Sequence, residues 1–456
     1  MQTLIKKIDI LGLYINRNFS VVFKDNTLIL VGENGSGKTT ISRIIYAVLS
    51  CNWDLLNNYP FKKIVVYFGN DTIEISENVI TDIYRIQDID RMSYFVDRKV
   101  GERGHGAGII STIFDLKNAQ KKNINNFHRF YRLPYEYISE IINKDVVNTL
   151  YEITQKINNN FPAQILYLPT YRRIEEQLQN IFPEVDIETW EKKKGIINNE
   201  KVIELVEFGM NDVRKLVDDE IDMLRSSSQA RQNKLTLGYL GEIVSKAYER
   251  SESYKKIREL KDEEIKEVLA RIDSSILSEK RKHQLLGIIN DFRATNKHSY
   301  PGQVKIICHY FMQLWEFNNE IKNAESNIRA FEQTANRYLV NNTIIYNSEN
   351  YSCDVFNILN YSEEKMAKIK FQDLSSGEKQ IVSLFSHLYL DKNEKVFVFI
   401  DEPELSLSVD WQKTFLPDIV KSPKFVGLLA TTHSPFVFDN DLENSVHGIN
   451  EFVTKG

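Results

Sequence analysis

The sequence predicts an α/β head built from both ends of the chain and interrupted by a long helical, partly coiled-coil insertion. Three observations predict it. A short apolar strand at residues 27–31 runs into a glycine-rich turn and then into residues at helical spacing. A second all-apolar run, residues 396–400, ends on the acids Asp401 and Glu402. Between them lies a stretch without proline from Pro183 to Pro301, followed by a long apolar seam. At 456 residues, and roughly 150 residues per domain, two to four units are expected.

The elements follow in order. Residues 4–13 and 19–23 alternate apolar and polar side chains, the period-two pattern of half-buried strands. Ile41, Ile44, Ile45 and Val48 share one face of a helix. Residues 64–68 and 72–75 form a hairpin signal around Gly69-Asn70-Asp71. The run GERGHGAG at 101–108 is a loop signal. Val146, Leu150, Ile153 and Ile157 step at helical spacing, and residues 164–168 read as a strand stopped by Pro169.

Val213, Val217, Ile221 and Leu224 share a face. Leu314, Phe317, Ile321, Ala324, Ile328, Phe331, Ala335 and Tyr338 alternate steps of three and four. That pattern fits a coiled-coil hairpin, and it fits equally a long helix packed on a neighbour in a bundle. Strand signals return at 343–346, 353–356 and 368–371, then strand and helix alternate through 396–400, 411–420 and 425–430. The expected organisation is an N-terminal lobe over 1–175 with an insertion at about 80–160, a helical insertion over 176–339 and a C-terminal lobe over 340–456. Neither lobe carries every candidate site residue, so the two are expected to fold together.

Composition excludes several classes. Fifty-eight basic and 63 acidic residues leave a net charge of −5, which excludes a polybasic field over the whole chain but not a local patch. Cys51, Cys308 and Cys353 are scattered without a CxxC pair, against a disulfide framework or a cysteine zinc site. No signal-peptide h-region opens the chain, and no apolar run nears the ~18–20 residues that span a bilayer. A cytoplasmic protein without a membrane partner is expected.

Four motifs carry chemistry. Gly32-Glu33-Asn34-Gly35-Ser36-Gly37-Lys38-Thr39, followed by Thr40, matches G-x-x-x-x-G-K-[ST] between a strand and a helix. Glycines let the backbone wrap phosphate oxygens, Lys38 reaches the β- and γ-phosphates, and the Thr39 hydroxyl is a magnesium ligand. Asp401, at the end of its strand, would hold Mg²⁺ through water, and Glu402 would polarise the attacking water as general base. Ser375-Ser376-Gly377-Glu378 opens an apolar helix and offers a second anion site. It is also an N-cap box, Ser375 with Glu378 three residues on, and the two readings are compatible. One nucleotide does not need two terminal-phosphate cradles, so this turn is expected to complete the site of a second copy. His433, 31 residues after Glu402 and at the end of the strand over 425–430, is placed to sense the γ-phosphate.

In this order the motifs GENGSGKTT, LSSGEKQ, FIDEPE and TTHSP resemble the Walker A, signature, Walker B and switch-histidine motifs of ABC-type P-loop ATPases. They are most similar to the SMC/RecF/OLD-like branch, in which a helical insertion splits the head. The stretches ILYLPTYRRIE (165–175) and EPELSLSVDWQ (402–412) are similar to bacterial anti-phage defence ATPases, first those of the PARIS system, then those of Septu and the ATPase half of OLD nucleases. The resemblance implies ATP and Mg²⁺ as cofactors and a head-to-head dimer or higher homo-oligomer. It further implies a sensor ATPase that controls a separate nuclease of Toprim or HNH type, with a phage-encoded trigger.

The chain departs from the branch in three places. Thr170 stands where many relatives carry the glutamine that completes the magnesium shell, which leaves Gln87 and Gln164 as candidates. Ser408 replaces a frequent histidine, and Ser376 a signature glycine. Only 23 residues follow His433, too few for a Toprim domain, so no nuclease activity is expected from this chain alone. The alternative is a RecF- or Rad50-like repair ATPase that binds DNA directly, with Arg172 and Arg173 in a local basic groove; the absence of a CxxC hook weighs against the Rad50 form.

Overall fold

The computed structural model describes residues 3–33, 35–69, 71–86, 109–120, 140–169, 202–204, 210–246, 248, 253–272, 277–295, 301–358, 366–393 and 395–454. The chain forms two compact units, one of Met1–Met210 with Ser375–Gly456, the other Asn211–Leu374. The loop signal at 101–108 lies outside the described residues.

The first unit begins with β1 (Ile5–Leu13), β2 (Arg17–Val22), β3 (Thr27–Val31), α1 (Lys38–Leu49) and α2 (Trp53–Leu56). It continues through β4 (Lys63–Phe68), β5 (Thr72–Ser76), α3 (Glu77–Tyr84) and α4 (Ile109–Gln120) to α5 (Asp145–Asn160), β6 (Gln164–Leu168) and β7 (Val202–Glu204).

The second unit holds α6 (Asn211–Val244), α7 (Asp262–Ala270), α8 (Glu279–Ala294), α9 (Gly302–Ala324) and α10 (Ser326–Ala335). These are followed by β8 (Asn342–Asn347), β9 (Ser352–Asn357) and β10 (Ala367–Ile369), an antiparallel sheet in the order β10-β9-β8. The boundary expected at 339/340 therefore falls inside this unit, because the three strands pair with one another. Helices α6 and α9 run antiparallel: Glu242 meets His309 at 2.6 Å, and Arg231 donates to the Glu320 carbonyl at 3.1 Å. The helix α9 also packs on α7 and α8. Ile257, Ile265, Ile289, Phe292, Cys308 and Phe311 lie in the shared core. The apolar seam is broken at Glu325, a fully buried carboxylate between α9 and α10. Arg271 and Arg329 pair with it at 3.2 and 2.8 Å, and the Tyr346 hydroxyl donates at 3.1 Å. The two guanidinium charges and the hydroxyl offset the desolvation cost of the buried carboxylate.

The chain returns to the first unit with α11 (Ser376–Leu390), β11 (Val396–Asp401), α12 (Val409–Val420), β12 (Phe425–Thr432), β13 (Val446–Gly448) and β14 (Val453–Thr454). Two sheets result. One is antiparallel, in the order β14-β2-β1-β4-β5. The other is wholly parallel, in the order β13-β3-β12-β11-β6-β7. Every residue of β11 is buried, as a strand covered on both faces requires. Ile8 and Ile10 of β1, Ile41, Ile44 and Val48 of α1, and Phe397 and Phe399 of β11 belong to one core, which draws on both sheets. In the parallel sheet the carboxyl ends of β3, β12, β11 and β6 lie side by side, the edge where open α/β sheets bind ligands. Among the described residues no helix is long and apolar enough to cross a membrane.

Candidate active site

The site grows from the ends of three adjacent strands. Beyond β3, Gly32, Gly35 and Gly37 take φ values of 153°, 78° and 103°, in the range that favours glycine. Gly37 caps α1, which has no side-chain N-cap bond, so its first N–H groups are available to an anion. Asn34 lies outside the described residues. The Ser36 Oγ is buried and has no hydrogen-bond partner. An orphaned hydroxyl inside a glycine-rich loop is what a phosphate oxygen would satisfy.

Lys38 is the first residue of α1 and is 4 % exposed. Its Nζ donates to the carbonyls of Gly32 at 2.8 Å and Glu33 at 3.0 Å, and lies 2.8 Å from His433 Nε2. An ammonium only donates, so in a hydrogen bond with it Nε2 is the acceptor. Burial draws the amine below its ordinary range, while the charges of Glu402 and Glu404 work the other way. Residues 395 apart in the chain thus meet, because β3 and β12 are neighbours.

At the end of β11, Asp401 is fully buried. Its Oδ2 accepts from the Tyr167 hydroxyl at 2.8 Å and its Oδ1 from Thr431 Oγ1 at 3.0 Å. Ser42, in α1, also hydrogen-bonds it. Burial pushes the carboxyl above its ordinary range, and the Tyr167, Thr431 and Ser42 bonds and the Arg43 charge oppose that shift. Tyr167 is buried on β6, stacks on Tyr46 at 4.6 Å, and hydrogen-bonds Arg43 as well as Asp401. Burial and the neighbouring carboxylate raise its hydroxyl far above the phenol range, so it remains a donor. Replacing Tyr167 by phenylalanine leaves a buried carboxylate oxygen one donor short. The expected cost is about 1–3 kcal/mol, read as a lower denaturant midpoint; an unchanged midpoint would show the bond to be dispensable.

Glu402 follows at φ 51° and ψ 62°, a left-handed conformation that is unfavourable for a side chain by roughly 1–3 kcal/mol. Its N–H donates to the Thr431 carbonyl at 2.9 Å, and its Oε1 lies 3.8 Å from His433 Nε2. The strained turn thus aims the carboxylate at the loop that carries His433.

Lys38, Asp401, Glu402 and His433 are therefore gathered at one sheet edge, with Thr39 and Thr40 half-buried in the first turn of α1. The signature turn is built as a capping box. The Ser375 N–H and hydroxyl donate to Glu378 Oε2 at 3.0 and 2.8 Å, and the Glu378 N–H donates back to Ser375 Oγ at 3.4 Å. Ser375 and Ser376 are exposed, Gly377 half-buried and Glu378 buried. Gln164 does not fit the glutamine role: it starts β6, pairing with Val396 at the amino end of β11, on the edge of the sheet opposite the site. Gln87, Thr170, Arg172 and Arg173 lie outside the described residues. Ser408 is exposed at the N-cap of α12.

Three residues escaped sequence reasoning. Tyr167 and Thr431 bind Asp401 across the sheet, and Glu404 holds the histidine loop. The glutamate directly after Asp401-Glu402-Pro403 was visible as a third acid, but nothing marked its target.

The family described as "AAA domain, putative AbiEii toxin, Type IV TA system" matches residues 28–439. The chain belongs to this AAA-domain family. The match spans both lobes and the insertion between them, and the fold is α/β, with a six-stranded parallel sheet beside an antiparallel one in the first unit and a largely helical second unit. No curated protein matches the sequence. Among solved structures, the chain is similar to the Smc head domain with an extended coiled coil bound to the C-terminal domain of ScpA, from Pyrococcus furiosus. The identity there is 15 %, over 95 % of this chain and 90 % of that one, at a TM-score of 0.35. It is also similar to the SmcHead bound to the C-winged helix domain of ScpA, at 12 % identity, the same coverages and a TM-score of 0.34. A Smc head domain with a coiled coil and joint from Pyrococcus yayanosii gives 14 % identity, 95 % and 93 % coverage and a TM-score of 0.29. The fold class rests on the strand order given above.

The residues present fit a magnesium nucleotide. Hard oxygen donors are at hand in the Thr39 hydroxyl and the Asp401 carboxylate, and phosphate and water would complete the shell. Among the described residues no cage of three or more His, Cys, Asp or Glu side chains competes for a metal ion. When bound there, a divalent cation would supply charge neutralisation for the phosphate oxygens. Lys38 and the α1 N-terminus would bind and orient a triphosphate there, and Glu402 is placed to take a proton from water.

Proposed function

We propose that the protein is an Mg²⁺-dependent ATP hydrolase in which two copies clasp each triphosphate. Its nucleotide state acts as a sensor or scaffold signal to a separate nuclease in bacterial anti-phage defence, in the manner of the PARIS ATPases. The contact of Lys38 with His433, beside Glu402, carries the reading: a phosphate-binding amine, a terminal-phosphate sensor and a base meet at one edge. The exposed serines of the signature turn support a role outside their own head. So does apolar surface on the elements next to Glu402 and His433, where Leu405, Val409 and Phe436 are 60, 47 and 40 % exposed. The family description, with its toxin and type IV system, supports the defence role. The helical unit is the candidate for relaying the state to a cytoplasmic effector of Toprim or HNH type once a phage-encoded trigger engages.

Closure of two heads is tested by Ser376→Arg. Each head of the variant is expected to bind ATP with wild-type affinity while the ATP-dependent rise in mass seen by sizing chromatography is lost. The same elution for wild type and variant with ATP would remove the shared site. A steep salt-dependent affinity of the purified chain for duplex DNA would instead favour a repair ATPase.

A further inference from the structure

Glu404 lies two residues beyond Glu402, in the 3₁₀ turn Pro403–Ser406. Both of its carboxylate oxygens are spent on the loop that carries the histidine. Oε1 accepts the His433 N–H at 2.7 Å, and Oε2 accepts the Thr432 hydroxyl at 2.8 Å. The same Thr432 oxygen accepts the Ser434 N–H at 3.0 Å. The Ser434 hydroxyl donates to Gln412 Oε1 at 2.6 Å, and Gln412 Nε2 donates to the Leu407 carbonyl at 3.0 Å. Groups from the turn after β11, from the end of β12 and from α12 thus close on one short loop.

The imidazole itself is held by little else. Its side chain is 30 % exposed, with Lys38 Nζ at 2.8 Å and Glu402 Oε1 at 3.8 Å from Nε2. A ring at the end of a two-bond side chain points where its backbone aims it. We infer that Glu404 is a positioning residue for His433, fixing the backbone from which the imidazole addresses Lys38 and the terminal phosphate. The inference rests on the reading of His433 as the terminal-phosphate sensor. A carboxylate suits the task because charge-assisted bonds to N–H and O–H are roughly twice as strong as neutral ones.

The test compares affinities for MgATP and MgADP by calorimetry in wild type, His433→Ala, Glu404→Ala, Glu404→Gln and the double alanine variant. His433→Ala is expected to lower the preference for ATP over ADP on the order of tenfold. Glu404→Ala should lower it by a similar factor, with ADP affinity held within about twofold, and the double variant should lose no more than either alone. Glu404→Gln, which keeps one acceptor, should fall between, and it carries the same comparison if the alanine variant does not fold. A wild-type ATP preference in the Glu404 variants, with that preference lost in His433→Ala, would overturn the positioning role alone. So would losses that add in the double variant, or a parallel fall in ADP affinity, which marks a general structural defect. An unchanged preference in His433→Ala would overturn the sensor reading and the inference with it.

Discussion

Lys38→Ala is expected to abolish nucleotide binding. The amine already occupies the position from which it would reach phosphate, and its three contacts are weak competitors: two loop carbonyls and an imidazole nitrogen. A triphosphate replaces them with anionic oxygens. Charge-assisted hydrogen bonds are worth about 1.5–3 kcal/mol each, so losing two of them weakens binding by roughly 100-fold or more. The fold should survive, because Lys38 sits at the first turn of α1 while the core face of that helix is Ile41, Ile44, Ile45 and Val48. Calorimetric titration with MgATP checks this, with the far-ultraviolet spectrum as control. Tight ATP binding by a folded variant would contradict the phosphate-loop assignment.

Glu402→Gln is expected to separate binding from turnover. The amide keeps the size of the side chain and its place in the left-handed turn but cannot take a proton. General bases contribute about 10²–10⁴-fold, and turnover should fall by that factor while ATP stays bound. Trapped ATP should then hold two heads together, visible as a persistent higher-mass species in sizing with MgATP. Wild-type turnover in this variant would remove Glu402 as the base.

Much of this site was legible because its chemistry sits on strong local patterns. The strand over 27–31 and the one over 164–168 are bounded by a glycine and a proline, and the structure places β3 and β6 at those bounds. Val213, Val217, Ile221 and Leu224, read as one helical face, are all buried along α6. Other features have no local signature. Two- and three-residue strands such as β13 and β14 are too short to show a period, and their pairing to β3 and β2 is decided by packing. Tyr167 reads as one more apolar position of a buried strand. Its hydroxyl gains a role only because β6 and β11 pair with Tyr167 opposite Phe399, 232 positions on, which brings Asp401 within reach. Glu325 falls inside a seam that looks unbroken when only apolar residues are counted, and one of its two guanidinium partners, Arg271, is 54 positions away.

The interleaving of the parallel sheet has a consequence for biosynthesis. Among the described residues, the strand that leads into the phosphate loop pairs with β12 and β13, and β12 does not begin until Phe425. At about 5–20 residues per second, a ribosome needs roughly 20–80 s to travel from Val31 to that point. Throughout that interval β3 lacks both of these sheet partners, and an apolar segment emerges long before they are made. Factors that hold unfolded chains are therefore expected to bind the nascent polypeptide.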